Sequence, residues 1–452
     1  MTPSVFNFAK RTCFAFLFVL AAVSTANAVE VEHVVSPGGI EAWLVEDHSN
    51  PIISLKLSFR GGSALDPKDK AGLANLVAST IDEGAGPLDS KAFQKELNDK
   101  SITLSFATGL DNFHGTLVAL TEHRERAFEL LRLALSEPRF DEEAVERIRA
   151  QILVNVTASR DDPDTIVGQT FNEVVFGDHP YAQRRDGTDE SLAAIEIEDL
   201  KSFVGSRFAR DNLIIGVVGD VTPEELSDLM DRTFSGLPET SGEIDLREAD
   251  VSTDGGTVLV EMEIPQSVVV FGHKGMRRDN PDYYAAYIMN HILGGGSFSS
   301  RLFKEVREDR GLAYSVYSYL SPAEHGSIMA GRVATQNERV GESLSLIRAE
   351  WARMAASGPS EEELSKAKTF LTGSFPLRLS SSGAIADMLV GMQLQDLGID
   401  YLERRNSLIE TVTLDDVKRV AGELLQPDEL LAVVVGNPKD VDVTERRLHE
   451  GG

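Results

Sequence analysis

Arg307 and Tyr314 stand seven residues apart, with Gly311 between them. An arginine presents a planar fork of donors that matches carbonyl and carboxylate oxygens. A tyrosine hydroxyl donates to an oxygen on which negative charge develops. A short turn could bring the two side chains to one surface. Without further context, an arginine and a tyrosine read as a surface ion-pair partner and a ring packed in a strand.

Other reactive residue types are sparse. The nine histidines never lie within five positions of one another, so no HxxxH pair exists on any helix. His179, in GDHPYAQRRDG, is expected to make a structural hydrogen bond. Cys13 is the only cysteine, which excludes a disulfide and leaves no thiolate metal site. The triplet Gly294-Gly295-Gly296 lacks the lysine of a phosphate-binding loop. It reads instead as a tight backbone turn opening a helix.

The elements that must position Arg307 and Tyr314 follow from local pattern. SSRLFKEVRE, from Ser299 to Glu308, reads as a serine-capped helix broken by Gly311. AYSVYSYL, from Ala313, reads as a strand, so the arginine falls near a helix end and the tyrosine at a strand start. In the first half, Ile53, Leu55, Leu57 and Phe59 alternate with polar residues as in a half-buried strand. Leu73, Leu76, Val77 and Ile81 then repeat at helical spacing before Gly84. Phe128, Leu131 and Leu135 mark another helix, and Val145, Ile148, Ile152 and Val156 a further one. Thr222-Pro223-Glu224-Glu225 is a capping box with proline at the first helical position.

This order occurs twice. The strands at Ile53 and Val268, the helix starts at Asp141 and Ser360, and the strand ends at Gly219 and Gly436 are offset by 215, 219 and 217 residues. Near-equal offsets imply an internal duplication. The expected fold is α+β, with two homologous domains, each a largely antiparallel sheet with helices packed on one face. Residues 29–237 form the first domain, the Gly-, Ser- and acid-rich stretch 238–256 a linker, and 257–452 the second domain. Residues 1–28 read as a secretory signal peptide, with Lys10 and Arg11, the apolar run from Cys13 and Ala26-Asn27-Ala28 at the cleavage site. No later segment is long and apolar enough to span a membrane.

The chain has 44 basic and 72 acidic residues. Without the leader it keeps 42 basic residues and a net charge of −30. Nucleic acid is not an expected partner, since phosphate binding needs a concentrated basic surface. The acidity reads as a solubility device, with steering of cationic peptides as the alternative. At 42% apolar content, the mature length is enough for two cored domains.

GLANLVAS from Gly72, HPY at His179, the VVGD strand end, and GGGSFSSRLF through GLAYSV together resemble the insulinase (pitrilysin) family of zinc peptidases, in its processing-peptidase-like branch. The resemblance spans essentially the whole mature chain and implies two related domains forming one half of a clamshell. It sets Asn75, Ala78 and Ser79 where the family carries the His, Glu and His of HxxEH. It sets Val154 and Asn155 at or beside the family's third, glutamate ligand. An amide oxygen and a hydroxyl are poor zinc ligands, and alanine accepts no proton from water. No cofactor is therefore expected on this chain, with zinc expected in a partner.

By the same resemblance, Arg307 and Tyr314 match the family's substrate-gripping pair. The implied protein is a periplasmic, non-zinc subunit of a secreted heterodimeric metallopeptidase, inactive alone. It would supply Arg307 and Tyr314 to an HxxEH-bearing homologous partner acting on peptides, without stable membrane insertion. The alternative is a catalytically inactive peptide-binding or scaffold subunit.

Overall fold

The computed structural model describes residues 29–251 and 253–449; the leader expected at 1–28 lies outside them. The first half contains strands β1 (Glu32–Val35), β2 (Glu41–Glu46) and β3 (Ile52–Arg60), then the short hairpin β4 (Gly84–Ala85) and β5 (Leu88–Asp89). It continues with β6 (Thr103–Thr108), β7 (Asn112–Leu120) and β8 (Leu213–Gly219). Six of these form a sheet in the order β1-β2-β8-β3-β7-β6.

The second half contributes β9 (Thr257–Glu261), β10 (Gln266–Lys274), β11 (Ala313–Ser321), β12 (Ile328–Gln336), β13 (Leu431–Gly436) and β14 (Glu445–Arg447). Their order is β11-β12-β10-β13-β9-β14, the first sheet read from its other end. β2 runs parallel to β8, as β9 does to β13, while the central pairs β3–β8 and β10–β13 are antiparallel. The duplicates differ at one edge, where β1 pairs antiparallel with β2 but β14 lies parallel to β9.

Most helices of each half pack on one face of its own sheet. In the first half Leu73, Leu76, Val77 and Ile81 share a buried core with Phe128, Leu131 and Leu135 and with Val145, Ile148, Ile152 and Val156. The capping box expected at Thr222 is formed, with the Glu225 amide donating to Thr222 Oγ1 at 3.3 Å and the Thr222 amide to Glu225 Oε2 at 3.2 Å. In the second half Val340, Ile347, Trp351 and Val417 pack with Val269 and Phe271 of β10.

The second face of each sheet is covered by a helix lent from the other half. Helix Pro163–Phe176 sets Val167, Phe171 and Val175 against Val268 and Val270 of β10 and Val433 and Val435 of β13. Helix Ser382–Leu394 lies on β3 and β8, where Gln393 Nε2 donates to the Ile215 carbonyl at 3.0 Å and Asp387 pairs with Lys56 at 3.0 Å. Gly216 permits that approach, because a Cβ there would stand 2.8 Å from the Ala386 carbonyl oxygen. The half-buried strand expected at Ile53 is thus buried on both faces: Ser54 and Ser58 are as enclosed as Leu55 and Leu57. Alternation reports a polar face, but polar residues also face a helix when small hydroxyls fit beneath it.

The described residues of 238–256 form no helix or strand, yet the segment is tied down. Arg210 N–H donates to the Pro238 carbonyl at 2.9 Å, Ala249 N–H to the His325 carbonyl at 2.6 Å, and Val251 is buried. A sequence without periodicity here marks a strap held by its backbone, since its hydrogen bonds go to loops rather than to a ladder.

Candidate functional site

The structure brings Arg307 and Tyr314 together. Helix turns carrying Phe303–Glu308 are widened to the π type, a departure that concentrates at functional sites. Ser300 caps them, accepting from the Phe303 amide at 3.4 Å, and Gly311 ends them at φ +60°. The chain then enters β11, where the register slips between Ala313 and Val316. Two residues there oppose one on β12, a bulge that re-aims the first of the two side chains. That side chain is Tyr314, which is 83% exposed.

The Arg307 guanidinium carbon lies 4.9 Å from the Tyr314 ring centroid, 4.7 Å from that of Phe303 and 5.7 Å from that of Phe298. Such cation–π contacts orient a guanidinium without neutralising it. Two nearby carboxylates are already engaged, Glu305 by Arg310 at 2.6 Å and Asp309 by Lys304 at 2.5 Å. Among the described residues Arg307 has no ion-pair partner, so its donors remain free for a ligand. The two phenylalanines and the bulge were not among the sequence expectations. Phe298 and Phe303 both follow the glycine triplet in GGGSFSSRLF, which was a readable signal.

The three glycines differ from expectation. None takes a positive φ, so no left-handed turn is needed. Gly294 is required by closeness instead: a Cβ on it would stand 2.3 Å from Ser318 Oγ and 2.7 Å from the Ser318 amide of β11. Asn290, on the preceding helix, fixes the same strand by accepting from Ser318 Oγ at 2.7 Å and donating to its carbonyl at 3.3 Å. The helix and the bulged strand are therefore docked as one support for the arginine and tyrosine.

The positions expected to match HxxEH lie on helix Leu73–Thr80. Asn75 donates to Asp186 Oδ1 at 3.3 Å, Ala78 is buried, and Ser79 is half-buried. Val154 and Asn155 are exposed on helix Glu142–Ser159, which packs against it. Among the described residues no group of three His, Cys, Asp or Glu side chains is placed to hold a metal. An amide, a methyl, a hydroxyl, a valine and a second amide do not make a zinc site. Asp66 holds this helix by accepting from the Ala74 amide at 3.0 Å and pairing with Arg207 at 3.3 Å. Burial pushes the Asp66 carboxyl up to about 6, against the pull of Arg207.

His179 is buried, accepts from the Tyr181 amide at 3.2 Å and donates from Nε2 to the Arg247 carbonyl of the strap at 2.8 Å. Tyr181 bonds through its hydroxyl to Asp111 and accepts from the His325 amide at 3.0 Å. This histidine is a structural link between the first half and the strap, and Tyr181 carries the link on to the second half.

A doubled sheet-and-helix unit with an exposed Arg–Tyr pair, and with asparagine, alanine and serine at the positions expected to match HxxEH, defines a peptidase-like scaffold. Two sequence profiles match the chain: "Insulinase (Peptidase family M16)" over residues 42–189 and "Peptidase M16 inactive domain" over 194–371. The chain belongs to the insulinase family, peptidase family M16. It is similar to a "non-peptidase homolog" of Helicobacter pylori, 26% identical over 395 residues, covering 87% of this chain and 91% of that one. An uncharacterized zinc protease of Streptomyces coelicolor is 30% identical over 323 residues, 68% of each chain. Among solved structures, a peptidase M16 inactive domain from Pseudomonas fluorescens superposes with a TM-score of 0.85 at 27% identity, over 92% of this chain and 99% of that one. A chain of Complex III2 from Candida albicans shares the fold, with a TM-score of 0.77 at 16% identity over 91% and 97% of the two chains.

Proposed function

We propose that this chain is the non-zinc subunit of a secreted, heterodimeric zinc metallopeptidase of the periplasm. In this reading residues 1–28 are its export signal, and a homologous subunit with an intact HxxEH supplies the zinc. Arg307 holds a carbonyl of the bound peptide through its fork of donors. Tyr314 donates its phenolic hydrogen to the oxyanion that forms as the peptide bond is attacked. The observation that carries the reading is the free state of the pair. Tyr314 is 83% exposed on a bulge, beside an arginine with no carboxylate partner among the described residues. A purely structural pair would be packed or neutralised.

The test is native mass spectrometry of the complex recovered from the periplasm through a tag on this chain. A one-to-one assembly with an HxxEH protein carrying one zinc is the expected result. A metal-free monomer or homodimer overturns it and leaves the peptide-binding or scaffold reading.

A further inference from the structure

The second half carries a set of positive charges that the Arg–Tyr site does not use. A cavity of about 240 Å3 is lined by Arg278, Arg378 and Arg405, and among the described residues no aspartate or glutamate lines it. A second cavity of about 250 Å3 adjoins it, sharing Arg378 and Arg405, and it too lacks a carboxylate. Arginine stays protonated at any physiological pH. Placing such charges in a partly enclosed space without counter-ions is costly. This chain has 72 acidic residues against 44 basic ones, so partners are abundant elsewhere on it.

The three arginines are held by neutral groups. Arg278 donates to the hydroxyls of Tyr284 at 2.9 Å and Tyr401 at 3.2 Å, and lies 4.2 Å from the Tyr283 ring centroid. Tyr284 donates in turn to Tyr401 at 3.1 Å, and among the described residues the Tyr401 hydroxyl has no acceptor of its own. Burial keeps the Tyr284 phenol protonated far above its ordinary range. Arg405 is buried, stacks 4.0 Å from the Phe375 ring centroid and donates to the Leu371 carbonyl at 3.2 Å. Arg378 is exposed at the rim and makes no hydrogen bond or ion pair among the described residues. Met388, Met392 and Leu397 give the cavity an apolar wall.

Guanidinium forks with an adjacent hydroxyl donor match a carboxylate. The apolar wall selects one joined to a hydrophobic group, since pockets combine apolar lining with a few orienting polar groups. We propose that this cavity binds a free carboxylate carrying an apolar side chain, the chemistry of a peptide's C-terminal residue. The inference stands on the cavity alone, and neither Arg307 nor Tyr314 lines it.

Isothermal titration of the full chain with N-acetylphenylalanine, N-acetylphenylalaninamide and inorganic phosphate, at constant ionic strength, tests it. Expected is saturable binding of the acid, at least tenfold weaker binding of the amide, and weaker binding still of phosphate. Arg378→Gln, at a side chain with no intramolecular partner, should weaken the acid at least tenfold while leaving the thermal midpoint unchanged. Arg278→Lys should weaken it similarly. Equal binding of acid and amide, failure of the acid to saturate, or phosphate binding as tightly as the acid would each overturn the proposal. None of those results would bear on recovery of the heterodimer.

Discussion

The guanidinium of Arg307 sits 4.9 Å from the centre of the Tyr314 ring, and the two arrive there from different elements, a π-widened helix end and a β-bulge. Orientation is fixed before any ligand arrives, which lowers the ordering cost of binding. In the reconstituted pair, Tyr314→Phe is expected to lower kcat by about 10²-fold with little change in KM, the scale of losing one oxyanion donor. Arg307→Ala should raise KM as well. Neither should shift the unfolding midpoint of the isolated chain appreciably, because Tyr314 is exposed. Unchanged peptide turnover by Tyr314→Phe would exclude the assigned role.

Gly294 provides a second handle on the same pair without touching it. Gly294→Ala puts a methyl group against Ser318 of β11, and overpacking of this kind costs about 1–3 kcal/mol. The expected outcome is a lower denaturant midpoint and a loss of turnover in the pair, since the strand carrying Tyr314 must move. Full activity with full stability would show that the helix and strand are not docked as described.

Stability should rise as the solution is made mildly acidic. Burial raises both Asp66 and Asp82 to about 6. Between about pH 6 and pH 4 the folded chain holds protons on them that the unfolded chain, near 3.9, does not. Each therefore favours folding increasingly as pH falls through that window, by up to about 2 kcal/mol on the scale of a two-unit shift. Glu363 behaves oppositely. Its bonds to Arg301, and more weakly to Ser360, outweigh partial burial and hold it at about 2, so its contribution is lost only as pH falls below the ordinary glutamate range. Thermal midpoints measured from pH 8 to 3 should peak near pH 4, and Asp66→Asn should flatten the rise. A steady fall from pH 7 downward would contradict this account.

The helix exchange predicts one unfolding transition for both halves. Phe171→Ala, at a buried ring on the lent helix, should cost about 3–5 kcal/mol. The chain contains two tryptophans, Trp43 on β2 and Trp351 in the second core. Single-tryptophan variants report each half separately. Coincident urea transitions, both displaced by Phe171→Ala, are expected. Separate transitions would mean that the halves fold independently.

Much of this was legible in the sequence because it is local. Thr222 and Ser360 announce their helices by capping chemistry, and the repeated spacing from Ile53 and Val268 to Gly219 and Gly436 announces the duplication. The paired placement of Arg307 and Tyr314 followed from a helix stop and a strand start. What stayed hidden is non-local or register-dependent. Ser54 and Ser58 look solvent-facing until a helix some 330 residues away in sequence is laid over them. The bulge at Tyr314 depends on β12, and the need for glycine at 294 depends on Ser318, so neither could be read from a window of neighbours. The arginines at 278, 378 and 405 converge only through tertiary packing.

The reciprocal loan of helices Pro163–Phe176 and Ser382–Leu394 has a mechanical meaning. Each half carries a piece of the other's floor, so prising them apart would strip apolar cover from both sheets at once. In the proposed heterodimer the chain would therefore act as a single jaw, and a gate that admits a long peptide would open along its rim, against the other subunit.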